Sequence, residues 1–146
     1  MKTIGLLLLL TLSNLLVGQI TECYCFENEE GSYTEWLVFK KDEVMVFAQR
    51  GLKCENPPRI SKMFDEDKKG IKFPYIEEGD QILFVKKVDF SVDLPVGISS
   101  VGAVQHYYYS GTRIKDGLQV HIEYKPSFQD MMGPPDRLYK KVELKE

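Results

Sequence analysis

Residues 103–125 read AVQHYYYSGTRIKDGLQVHIEYK, and this stretch decides the fold. In its second half Leu118, Val120, Ile122 and Tyr124 alternate with Gln119, His121, Glu123 and Lys125. Strict period-two alternation is the mark of an antiparallel strand with one wet face. Asp116-Gly117 just before it predicts a two-residue hairpin turn with positive φ at Gly117. That turn would pair residue 115 with 118 and set His121 opposite Thr112. Ser110-Gly111 predicts a bulge in the first arm, Ala103–Lys115.

Working outward, the same period recurs along the chain. Thr21–Glu27 sets Tyr24 and Phe26 on one face and Cys23 and Cys25 on the other. In Tyr33–Lys40, Tyr33, Leu37 and Phe39 share one side and Trp36 and Val38 the other. Lys41-Asp42 predicts a polar turn into Glu43–Gln49, which makes a hairpin. Ile71–Ile76 is a strand whose Pro74 suggests an edge or a bulge. Glu77 to Asp80 turns the chain into Gln81–Val92, where Ile82, Phe84, Val88, Phe90 and Val92 alternate with only Lys86 out of pattern. A strand of that length is expected to bend or break near Lys86-Lys87. Arg137–Leu144 closes the chain, and Ile60–Phe64 reads as a short strand or a helical turn. The expected fold is all-β: an antiparallel up-and-down barrel of about eight strands, with a two-sheet β-sandwich as the alternative.

The first residues read as an address. Lys2 precedes a leucine-rich run from Ile4 to Leu12, and Leu15 to Val17 carry it to Gly18. This is the order of a secretory signal peptide, too short and interrupted for a membrane span. Cleavage is expected after Gly18 or Gln19, leaving residues 19–146 as one all-β domain in a secreted or periplasmic setting. Glu22 and Tyr24 precede Cys23 and Cys25, so neither cysteine sits in a lipidation motif. No stable membrane span is expected in the mature chain. An oxidising compartment preserves disulfides, and Cys54, in a loop marked by Asn56-Pro57-Pro58, is the natural partner for Cys23 or Cys25.

Charge and motifs exclude more than they assign. The net charge is −3 over 146 residues, so nucleic acid is not an expected partner. Residues 65–70 resemble a calcium loop, but Lys69 and Ile76 stand where oxygen ligands belong, which rejects it. His106 and His121 read as separate surface residues, and no metal or cofactor is expected. No nucleophile motif is legible, so the chain leans away from an enzyme. The aromatics remain. Trp36, Tyr107, Tyr109 and Tyr124 are the expected lining of a barrel cavity for a small apolar or aromatic ligand. The alternative is a protein-protein interaction module, an inhibitor or an envelope-assembly factor. It would act through loops 50–59 and 126–136, where Met131-Met132 could supply an adaptable contact.

Over residues 30–144 the pattern resembles the small exported lipocalin-like (calycin-type) barrel domains. It rests on Gly31 and Trp36 in an early strand, serial hairpins, and the final Arg137-Leu138-Tyr139-Lys140-Lys141. Gly31 and Trp36 stand five apart where lipocalins have a Gly-x-Trp, and Cys23–Cys25 add an earlier strand. The resemblance implies an eight-stranded barrel that binds a small hydrophobic molecule. It also implies a structural pair, Trp36 with Arg137 packed across it.

Overall fold

A computed structural model describes residues 20–57, 59, 72–89, 104–125 and 134–144. The strands are β1 (Glu22–Glu27), β2 (Thr34–Phe39), β3 (Glu43–Gln49), β4 (Lys72–Glu78), β5 (Gln81–Asp89), β6 (Val104–Ile114), β7 (Gly117–Lys125) and β8 (Asp136–Lys141). Each pairs antiparallel with the next, and β8 pairs back on β1, so the sheet closes as an up-and-down barrel. Closure removes the free edges that an open sheet would expose. The sandwich alternative is thereby set aside. The signal peptide, Ile60–Phe64, the calcium-like loop and Met131-Met132 lie outside the described residues.

Alternation sorts the side chains into an inside and an outside. Tyr24, Phe26, Leu37, Phe39, Val44, Val46, Phe73, Ile82, Phe84, Tyr109, Leu118, Val120, Ile122 and Tyr139 form the buried interior. Phe84 and Tyr109 stack with centroids 4.4 Å apart, and Phe39 meets Tyr75 edge-on at 5.1 Å. Each such side chain contributes roughly 1.5–3 kcal/mol when fully buried.

β2 is buried on both faces. Its outer side carries Trp36 and Val38, which with Cys23, Cys25 and Met45 form a second cluster outside the barrel. Ile20, Leu52, Cys54, Val142 and Leu144 cover it, from the segment before β1, the loop after β3 and the segment after β8. Thr34 Oγ1 donates to the Leu52 carbonyl, and Val142 N donates to the Cys23 carbonyl at 2.8 Å, which ties two of these covers down. The Cys25–Cys54 disulfide, with Cα atoms 5.7 Å apart, clamps the cover to β1. Cys23 is left as a buried free thiol, pushed up to about 12 by burial.

Several details differ from the sequence reading. β7 begins at Gly117, which pairs with Ile114, so Lys115-Asp116 form the turn and His121 faces Ser110. Gly117 has no positive φ, unlike Gly31, Gly51 and Gly79. A glycine stands there for space: a Cβ would lie 2.3 Å from the Tyr139 carbonyl oxygen. No bulge interrupts β6 at Ser110-Gly111, since both pair in step with Leu83 and Ile82. β5 likewise runs unbroken past Lys86-Lys87 to Asp89 opposite Val104. Pro74 occupies the last of the three β3–β4 pairs, opposite Glu43, where the ladder ends and a missing N–H costs little.

Candidate functional site

The two ends of the barrel are built differently. At one end the connections are short: 40–42, 79–80 and 115–116. Here inward-facing Arg113 donates to Glu22 Oε2 through Nε at 2.9 Å and to Glu77 Oε2 through Nη2 at 2.7 Å. Tyr24 OH donates to Glu22 Oε1 at 2.9 Å. Tyr75 OH donates to the Lys40 and Lys41 carbonyls at 3.0 and 3.1 Å. These bonds cross the barrel floor and seal it. The strand ends joined by the longer connections 28–33, 50–71, 90–103 and 126–135 are all at the other end.

Beneath that second end lies a charged layer. Glu35, facing inward from β2, is wholly buried. Its Oε1 accepts from Arg137 Nη1 at 3.1 Å and from Tyr139 OH. Its Oε2 accepts from Tyr33 OH at 2.8 Å, and Tyr109 OH stands 3.4 and 3.5 Å from the two oxygens. Arg137 is held flat between the Phe26 and Tyr33 rings, 5.1 and 5.7 Å from their centroids, and its Nε donates to the Pro134 carbonyl at 2.9 Å. A buried carboxylate survives only when its lone pairs are filled this way. Burial, followed by the neighbouring Glu35 charge, pushes the Tyr109 and Tyr139 phenols well above their ordinary range, and Tyr33 rises for the same causes. They therefore act as fixed hydrogen-bond donors, not as bases.

Lys86 enters the layer from β5. Its Nζ lies 3.9 Å from Glu35 Oε2, and its side chain keeps 21% of its exposure. It sits 5.4 Å from the centroid of the Tyr107 ring. Burial pulls the Lys86 ammonium below its ordinary range, Glu35 opposes that, and Arg137 adds to it. Across the ladder from Lys86, half-buried Tyr107 and Tyr124 stand 5.9 Å apart at 37°, and Tyr107 OH donates to Gln105 Oε1 at 2.9 Å.

Of the expected lining residues, Tyr107, Tyr109 and Tyr124 come together in this half of the barrel. Trp36 does not. It points outward, fully buried beneath the terminal cover and stacked on Phe47 at 5.5 Å, and it lines no interior space. The expected Trp36–Arg137 pair is therefore absent. Trp36 is outside the wall and Arg137 inside it, so Arg137 packs on Phe26 and Tyr33 instead. Asp116 keeps a place in the turn and accepts from Lys141 N at 3.1 Å. His121 Nδ1 lies 2.7 Å from Asp136 Oδ1 on the exposed outer surface, whereas Arg137 points inward.

Glu35 was not singled out by the sequence reading. The signal was present: Tyr33, Leu37 and Phe39 face inward together, and Glu35 occupies the same parity between them. Lys86 breaks the β5 alternation in the same manner. Two opposite charges on inward positions of separate strands were the sign of a polar layer.

A concavity lies outside the wall. It is a groove of about 630 Å³ lined by Glu27, Asn28, Cys54, Glu55, Pro57, Leu138 and Lys140, among others. The β1–β8 ladder has only two pairs, Tyr24 with Lys141 and Cys25 with Lys140, so the groove overlies the wall where these strands part. Comparison with protein-family models, with curated proteins and with solved structures gives no match for this chain.

Proposed function

We propose that this chain is an exported, non-enzymatic binding protein that takes a small apolar or aromatic ligand into the long-loop end of its barrel. One observation carries the reading: the interior is sealed by ion pairs at one end and presents half-buried Tyr107, Tyr124 and Lys86 at the other. A barrel built only for stability has no need of such asymmetry. The eight-stranded closed barrel is compatible with a lipocalin-like architecture. The disulfide and the absence, among the described residues, of a helix able to cross a membrane are consistent with export. The signal peptide at 1–18 is part of this proposal.

Native mass spectrometry of the mature protein, taken from its own compartment, tests it. A non-covalent adduct of about a few hundred daltons, the size of a small-molecule ligand, is the expected result. It should be reduced by Tyr107→Ala. A bare monomer after gentle isolation would count against the proposal.

The outer groove supports a second reading, the interaction module. Part of the loop 50–59 lines it through Cys54, Glu55 and Pro57. A second protein retained in the native spectrum, and lost on Leu138→Asp, would favour that reading instead.

A further inference from the structure

We propose that the ligand carries a carboxylate and that Lys86, with Gln105 beside it, receives that group at the barrel mouth. The inference rests on the ligand-binding reading above and adds the chemistry of the head group.

The argument is a count of charges and donors. The sealed end holds Arg113 against Glu22 and Glu77, with Lys141 3.8 Å from Glu22, and so balances within itself. Among the described residues the upper layer holds one carboxylate, Glu35, against two cations, Arg137 and Lys86. A carboxylate offers about four lone-pair sites. Arg137, Tyr139 and Tyr33 fill three of them, and Tyr109 leans on both oxygens. Lys86 is left at 3.9 Å, beyond hydrogen-bond reach. Among the described residues its ammonium has no acceptor, only the charge of Glu35 and the face of Tyr107.

A partly desolvated ammonium that finds no acceptor among the described residues is costly unless something fills its donors. Lys86 is not sequestered, because its side chain keeps 21% exposure. Gln105 is buried, and its carbonyl oxygen already accepts from Tyr107, which leaves its amide nitrogen as a second donor. Two donors beside a pair of tyrosine rings suit a planar anion joined to an apolar body. Among the described residues the surplus is a single charge, which matches a monoanion better than a phosphate monoester. Charge-assisted hydrogen bonds to such a group are about twice as strong as neutral ones.

Two matched pairs of probes separate the possibilities by titration calorimetry of the mature chain: naphthalene-2-carboxylate with its carboxamide, and decanoate with decanamide. The expected result is that at least one carboxylate binds about tenfold or more tighter than its amide, the factor that 1.4 kcal/mol represents. The ratio should collapse toward one in Lys86→Met and persist in Lys87→Met, whose side chain faces out. Retention of the preference in Lys86→Met would overturn the assignment to Lys86. Equal binding of acid and amide by the native chain would overturn the carboxylate inference and leave the ligand-binding reading standing. No binding of any of the four probes would overturn both.

Discussion

The two ends of the barrel use the same chemistry to opposite effect. At the short-turn end an arginine is held by two carboxylates, and at the loop end a carboxylate is held by an arginine, three tyrosines and a distant lysine. The first arrangement is electrically closed and partly wet; the Glu77 side chain keeps 46% of its exposure. The second is buried around Glu35 and, among the described residues, holds one more cation than carboxylate. Charges can therefore plug a barrel or prepare it to receive a partner, and what distinguishes the two is the balance and not the residue types.

The largest expected effect comes from breaking the buried layer. Glu35→Ala takes from Arg137 and three phenols the carboxylate they share. Removing one partner of a buried ion pair costs about 3–5 kcal/mol. Glu35→Gln keeps the shape and some acceptor capacity and should cost less. Chemical denaturation read by circular dichroism checks both. If Glu35→Ala unfolds at the native midpoint, the layer does not hold the barrel together.

How much of this comparison was legible in the sequence follows from what alternation can and cannot carry. Strand positions were legible, since period two is plain in β5, β7 and β8 and β3 has the expected limits, Glu43–Gln49. Which face of β2 points inward was not. That strand is covered on both sides, so Trp36 and Leu37 are equally apolar choices for the core. The covers themselves come from segments far apart in the chain, and no local pattern announces them. The sealed end was invisible for the same reason: Arg113, Glu22 and Glu77 sit on strands that meet only when the barrel closes. The disulfide choice turned on the same geometry, as Cys23 and Cys25 share a face and only the path of the loop after β3 selects Cys25.

A medium effect is expected at the junction of β6, β7 and β8, near the sealed end. Gly117→Ala puts a Cβ against the Tyr139 backbone, at 2.3 Å in the native geometry. Backbone cannot rotate away as a side chain does, so the ladder must shift, at a cost of about 1–3 kcal/mol as for other overpacking. Gly79→Ala, at φ 59 with open space around it, isolates the purely conformational penalty for comparison. Equal melting of the Gly117→Ala and native proteins would show that the β7–β8 contact is looser than described.

Arg113→Met probes the plug itself and should matter less than Glu35→Ala. Its partners are reachable by water, which screens their attraction, and exposed pairs contribute about 0–1 kcal/mol. The loss should shrink further in high salt. A cost as large as that of Glu35→Ala would mean that the two ends are equally buried, and the contrast between them would fail.

The smallest effect is nil at neutral pH and grows only in alkali. Burial raises the pKa values of Tyr33, Tyr109 and Tyr139 above the ordinary 10.0, so the folded layer keeps protons that the unfolded chain has begun to release. The unfolded state then binds fewer protons, and stability falls as pH rises. The contribution is whole below about pH 10, the ordinary tyrosine value, and is lost above it. At the sealed end Tyr24 is shifted in the same direction, to about 12, by burial and then by its bond to Glu22. A tyrosinate absorbance titration run beside circular dichroism separates coupled from independent ionisation. The phenols around Glu35 should ionise only as the barrel opens, in one cooperative step. If all the tyrosines ionise while the fold remains intact, the hydrogen bonds to Glu35 are too weak to hold a proton, and the layer is softer than its geometry implies.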